Sequence, residues 1–138
     1  MSKSLWITLL IRLMFGLVFL VYGIEKLIDY KLTIETITDS FDATFLPEVL
    51  VRMFVVILPF WEMIIGLMFL TGYRYRITLI LTGILMTLLT VGVAVRGEGD
   101  HVARNMVYFF ILLIGLWHSD NNRFALLNKA NSLSNEKA

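Results

Sequence analysis

The sequence has no cysteine among its 138 residues and only two prolines, and charged residues make up 17% of it. The absence of cysteine excludes dithiol exchange, thiolate metal sites and cysteine-ligated iron–sulfur clusters from the chemistry that this chain can carry alone. A formal net charge of +1 provides no basic field for nucleic acid. The chain has hydrophobic residues instead, at 58% of the sequence with a mean hydropathy of +0.78, which indicates a membrane protein.

Four apolar stretches approach the length of about 20 helical residues that a hydrocarbon core of about 30 Å requires. They cover approximately residues 5–27, 49–71, 77–95 and 102–118. The fourth is the weakest, because Arg104 and Asn105 lie within it and Arg104 must reach the headgroups. Short turns after the second and third stretches place neighbouring helices antiparallel. The sequence therefore predicts an all-α, up-down-up-down four-helix membrane bundle over residues 1–127, with a polar, disordered tail over 128–138.

The connection between the first two stretches, residues 28–48, has apolar residues at helical spacing opposite acidic ones. This pattern is typical of a short amphipathic helix on the membrane surface, or of a lid over the bundle mouth. Lysine and arginine are slightly more numerous on the side that holds both termini. We therefore expect a multi-pass protein of the bacterial inner membrane with both termini in the cytoplasm.

Arg12 and Glu62 are the ionisable residues deepest within apolar stretches, where a charge is costly and tends to have a function. At a rise of 1.5 Å per residue, Arg12 lies about 10 Å and Glu62 about 15 Å from the same membrane edge. An arginine side chain is long enough to bridge this difference in depth. We therefore predict an Arg12–Glu62 ion pair between the first two membrane helices. Two interpretations stay open: a polar clamp that fixes helix pairing, or a carboxylate that carries a proton or holds a ligand.

Other candidate residues share helical faces. Gly16, Gly23 and Lys26 lie on the Arg12 face, where small residues allow close helix packing beneath a lysine that extends to the headgroups. The hydroxyl of Tyr108 needs a partner, either a neighbouring polar group or a ligand carbonyl. The two histidines lie about 25 Å apart on one helix, so we expect no haem and no metal within one chain.

Several of these positions together resemble the DoxX family of small bacterial membrane proteins over about residues 9–127. The shared positions are Arg12, Gly16, Gly23, Lys26, Glu62, Gly66 and Gly72. The resemblance implies a four-helix membrane bundle and a redox-linked role, and it carries Arg12, Gly23, Lys26 and Glu62 over as candidate site residues. A more distant relative, a methylamine-utilisation protein, fits less well, because a thiol-based maturation role requires cysteine.

Three functional hypotheses follow. The first is a membrane subunit of a quinone-linked oxidoreductase or oxidative-stress complex, in which Arg12, Glu62 and Tyr108 surround the quinone head group. In it Arg12 and Glu62 are the catalytic pair, Glu62 carries a proton, and electrons come from a redox partner protein. The second is a non-catalytic anchor or assembly factor whose acidic connection docks a periplasmic partner. The third is a small-molecule transporter that works as a homo-oligomer.

Overall fold

The computed structural model describes residues 3–119, and this part of the chain consists of helices and the turns that connect them, without strands. Its five helices are α1 (Lys3–Ile28), α2 (Tyr30–Asp39), α3 (Glu48–Thr71), α4 (Tyr75–Val95) and α5 (Gly99–Trp117). The predicted all-α class is therefore confirmed. The tail predicted over 128–138 lies outside the described residues.

Within residues 3–119, three helices are long and apolar enough to cross a membrane, namely α1, α3 and α4. Their outward surfaces carry large apolar side chains that a bilayer would cover, among them Leu17 and Ile64, each more than half exposed. α5 has 19 residues but does not reach the same apolarity, because its first two turns contain Asp100, His101, Arg104 and Asn105. The prediction of four membrane spans is thus confirmed for three helices only.

α1 and α3 form the main helix pair of the molecule and run antiparallel. Glycines bring the two backbones into contact: a Cβ atom added to Gly66 would lie 2.8 Å from the backbone nitrogen of Leu20 and 3.0 Å from the carbonyl oxygen of Gly16. Further along the pair, Gly23 packs against Pro59 and Met63. Small residues at these positions allow the close approach on which membrane helices depend for association.

α2 packs chiefly against α3, next to the position where Pro59 interrupts the hydrogen bonding of that helix. A proline inside a helix removes one backbone donor and leaves carbonyl groups of the preceding turn available. The hydroxyl of Tyr30 donates to the Val56 carbonyl oxygen, in the turn before Pro59, at 2.8 Å. The Tyr30 ring also meets the Phe60 ring edge-on at 6.0 Å. The connection between the first two membrane helices is therefore fastened to the bundle.

The core lies among α1, α3, α4 and α5 and is built on aromatic contacts. Phe15 of α1 stacks on Phe69 of α3 with ring centroids 5.6 Å apart. Phe69 meets Tyr75 of α4, and Phe15 meets Tyr108 of α5, each edge-on at 6.2 Å. These contacts hold the four helices in register around the site described next.

Candidate functional site

A lysine and a glutamate meet inside the bundle. The Lys26 ammonium nitrogen lies 2.8 Å from Oε2 and 3.0 Å from Oε1 of Glu62, so both carboxylate oxygens accept a hydrogen bond. The Glu62 side chain is 4% exposed and that of Lys26 is 22% exposed. Side chains on a helix tilt toward its N-terminus, and Lys26 stands near the C-terminal end of α1. Its stem therefore runs back into the bundle, not outward to the headgroups as the sequence had suggested.

The predicted Arg12–Glu62 ion pair is wrong. Arg12 is buried, but it donates from Nε to the Phe69 carbonyl oxygen and from Nη2 to the Leu70 carbonyl oxygen, each at 3.0 Å. The same tilt toward the N-terminus of α1 carries its guanidinium away from Glu62 and to the end of α3. There it meets the last carbonyl groups of α3, a favourable position for a cation at a helix C-terminus.

Gly72 ends α3 and makes room for this arginine. It adopts a left-handed conformation with φ at 70°, which glycine reaches without strain. A Cβ atom at this position would lie 2.5 Å from Nη2 of Arg12. Arg12 therefore joins α1 to the end of α3, and this contact depends on glycine at position 72 for two separate reasons.

The Lys26–Glu62 pair borders a cavity of about 700 Å³. Its walls come from α1, α3, α4 and α5 and from residues at and after the end of α2, and they are mostly apolar. Polar and charged side chains also line it, namely Tyr22, Lys26, Glu62, Arg96, His101, Arg104, Asn105 and Tyr108. Of the five predicted ligand-binding residues, Lys26, Glu62 and Tyr108 thus border one space. Arg12 and Gly23 do not, because they lie in the contact between α1 and α3.

Arg96, just after α4, holds the segment that covers one end of the cavity, a role that sequence reasoning missed. Its Nη1 donates to the Ser40 hydroxyl at 2.9 Å, and its guanidinium lies 5.1 Å from the centre of the Phe41 ring. Nη2 forms an ion pair with Glu98 at 3.0 Å, and the same Glu98 oxygen lies 2.8 Å from Nδ1 of His101. The only sequence signal for this role was a basic residue directly after an uncharged span, which more commonly indicates a headgroup anchor.

The comparisons with known proteins identify a different family from DoxX. The model of the family described as methylamine utilisation protein MauE matches residues 4–100. Searches among curated proteins and among solved structures find no match. The resemblance to DoxX is therefore overturned: it depended on glycines and charged residues that other membrane helix pairs also use in packing. The matched range runs from α1 into the start of α5 and includes Lys26, Glu62 and Arg96.

Three helices suited to crossing a bilayer, together with the family match, identify a multi-pass membrane protein. The match covers well over half of the 138 residues. The chain belongs to the MauE family of methylamine utilisation proteins.

Proposed function

We propose that this protein is a membrane accessory subunit that binds an amphipathic molecule, a quinone in the first place, and acts with a redox partner in methylamine utilisation. The observation that carries this proposal is the Lys26–Glu62 pair at the border of a largely apolar cavity. A volume of about 700 Å³ falls within the range of about 300–1,000 Å³ typical of small-molecule sites.

The pair leaves hydrogen-bonding capacity for a ligand. An ammonium group has three donors, and the two oxygens of Glu62 engage two of those of Lys26. The Tyr108 hydroxyl, which also borders the cavity, has no hydrogen-bond partner within residues 3–119. Two donors beside apolar walls suit the carbonyl oxygens and the ring of a quinone. Lys26 and Tyr108 are therefore the proposed head-group ligands.

In the proposed reaction, this chain binds the quinone and a partner protein supplies the electrons, because this chain has no cysteine. Reduction of a quinone to a quinol takes two electrons and two protons, and a chain without cysteine supplies no thiol for the electron transfer. The electrons therefore come from the partner protein. This chain binds and orients the quinone, and the Lys26–Glu62 pair holds a proton at the border of the cavity. Arg12 lies outside the cavity, so its proposed role is to fasten α1 to α3.

The test is quinone binding by the full chain in a mild detergent. We expect quinone in solvent extracts of the purified protein by mass spectrometry, and saturable binding of a short-chain quinone to the delipidated protein. Tyr108→Phe removes one hydroxyl and should weaken binding about fivefold, which is the effect of one hydrogen bond of ~1 kcal/mol. Tyr73→Phe, which alters a tyrosine in the turn between α3 and α4 outside the cavity, is the matched control. Absence of quinone from the extract, together with no saturable binding, would refute the proposal.

A second candidate function, docking or assembly of a partner without ligand chemistry, is favoured by a group of exposed carboxylates. They lie at the end of α1, along α2 and at the start of α3, and comprise Glu25, Asp29, Glu35, Asp39, Asp42 and Glu48. With both termini in the cytoplasm, as we propose, this acidic surface faces the other side of the membrane. A protein without quinone that co-purifies with a partner, and loses it on Glu35→Lys but not on Lys31→Glu, would establish this function instead.

A further inference from the structure

α5 turns a polar stripe toward the cavity. His101, Arg104 and Asn105 occupy positions i, i+3 and i+4 of this helix and all border the cavity, one to two turns nearer the start of α5 than Tyr108. Within residues 3–119, neither the Arg104 guanidinium nor the Asn105 amide has a hydrogen-bond partner. The helix positions that follow, Met106 and Val107, are apolar and at least half exposed. Unsatisfied polar groups beside a lipid-facing surface are costly unless a ligand or water meets them.

The charges around the cavity are unbalanced. Among residues 3–119, three cations border it, Lys26, Arg96 and Arg104, and one carboxylate, Glu62. Lys26 is neutralised by Glu62, and Arg96 by Glu98. Arg104 forms no ion pair within residues 3–119. Arg104 and Asn105 therefore provide donors and a positive charge for an anion that residues 3–119 do not supply.

We propose that the α5 stripe binds the phosphate of an anionic phospholipid, whose acyl chains lie along the apolar walls of the cavity. A guanidinium donates two parallel hydrogen bonds to phosphate oxygens, and the Asn105 amide adds a further donor. Apolar side chains, including Leu50, Phe54 and Leu89, border the same space. Lipid and free phosphate share this head-group chemistry, but only a lipid also covers the apolar walls. The inference does not depend on quinone binding, which involves Lys26 and Tyr108.

The experiment measures phospholipid binding by the delipidated full chain in dodecylmaltoside. Native mass spectrometry counts bound phosphatidylglycerol and phosphatidylcholine, and a thermal-shift titration gives an apparent affinity for each. We expect a preference for phosphatidylglycerol and a loss of about tenfold in its affinity on Arg104→Gln, equivalent to ~1.4 kcal/mol. Arg52→Gln is the matched control, because Arg52 is an exposed cation near the start of α3 that does not border the cavity. It should leave the affinity unchanged.

Three outcomes would overturn the proposal. They are equal affinity for the two lipids, equal losses in the two arginine variants, and stabilisation by inorganic phosphate alone as large as that by phosphatidylglycerol. The last result would assign the stripe to free phosphate. Asn105→Ala serves as a second variant if Arg104→Gln fails to fold, and it should weaken phosphatidylglycerol binding by a smaller factor, about fivefold. An unchanged affinity in Asn105→Ala would then count against the site.

Discussion

Replacing Lys26 by methionine tests the energetics of the buried pair. Methionine retains much of the length and apolar volume of the lysine stem but removes the ammonium group. In this variant the Glu62 carboxylate, which is 4% exposed, loses the only cation that lies within ion-pair distance of it in the described part of the chain. Glu62→Gln removes the other charge and leaves Lys26, whose flexible stem is partly exposed and can move its ammonium group toward water. We therefore expect Lys26→Met to destabilise the protein more than Glu62→Gln.

The distance between Lys26 and Glu62 and the burial of both side chains determine the expected loss of stability. At 2.8 Å and an effective dielectric constant of about 20, the gross attraction of the pair is about 6 kcal/mol. Desolvation of the two ions offsets most of this attraction, so the net contribution of the pair is small. Removal of one partner from a buried pair costs about 3–5 kcal/mol because the other charge is left behind. Because Lys26 is partly exposed, water screens the pair, and we expect Lys26→Met to lower the free energy of unfolding by about 3 kcal/mol, at the lower end of this range. In the Lys26→Met/Glu62→Gln double variant, the free energy of unfolding should return to within about 1 kcal/mol of wild type.

The assay is equilibrium unfolding in mixed micelles with increasing denaturing detergent, followed by tryptophan fluorescence. Trp61, the neighbour of Glu62 in α3, is one of the three tryptophans of the chain. Lys31→Met, at an exposed lysine of α2, is the control for loss of a positive charge. Additive effects of the two single substitutions on the free energy of unfolding would show that Lys26 and Glu62 do not interact. A larger coupling energy between Arg12 and Glu62 than between Lys26 and Glu62 would also contradict this pairing.

The remaining predictions concern helix contacts, and each is read out by the same unfolding assay. Arg12→Met removes two charge-assisted hydrogen bonds to α3 carbonyl groups and should lower the free energy of unfolding by about 2–3 kcal/mol. Gly72→Ala should lower the free energy of unfolding of the wild-type protein by more than ~1 kcal/mol. The same substitution should lower it by less in the Arg12→Met variant, because the guanidinium that clashes with the added Cβ atom is then absent. Gly66→Ala should cost about 1–3 kcal/mol by forcing two backbones apart, whereas Gly83→Ala, with its nearest contact at 3.9 Å, should change stability by less than ~0.5 kcal/mol. Equal effects at Gly66 and Gly83 would contradict the close α1–α3 contact.

Hydropathy and helical spacing predicted much of the fold. Apolar runs of about 20 residues located α1, α3 and α4, because lipid imposes that length on any spanning helix. The polar first half of α5 made it the weakest span in the sequence, and it is the helix that fails the apolarity requirement in the structure. Spacing also placed Arg12 and Lys26 on one face of α1, and both side chains contact α3.

The pairing of charges could not be predicted from depth alone. Axial distances between Cα atoms put Arg12 close to Glu62, but a long side chain ends well toward the N-terminus of its own helix. In α1 this direction moves both cations the same way, so Arg12 reaches Phe69 and Leu70 and Lys26 reaches Glu62. The tilt of side chains toward the helix N-terminus holds for any helix and could be applied to the sequence. The relative axial position of α1 and α3 could not be predicted, because it depends on the glycine contacts between the two helices.

The cavity also depends on tertiary structure. It forms where Arg96 fastens the segment after α2 through Ser40 and Phe41, residues more than 50 positions away in the chain. No local pattern indicates such a contact. The family assignment failed for a related reason: a few glycines and charges on apolar helices reflect general rules of membrane packing, and a match over residues 4–100 is needed to distinguish one family from another.

Lys26 and Glu62 form an ion pair inside the membrane bundle, and the proposed site depends on this pair. Solid-state NMR of the protein in lipid bilayers measures it directly, through dipolar coupling between ¹⁵N at lysine Nζ and ¹³C at the Glu62 carboxylate, identified by its loss in Glu62→Gln. We expect a separation below about 4 Å between these two atoms and a coupling that disappears in Lys26→Met and persists in Arg12→Met. A Glu62 carboxylate coupled instead to arginine nitrogen, or to no side-chain nitrogen, would contradict this pairing.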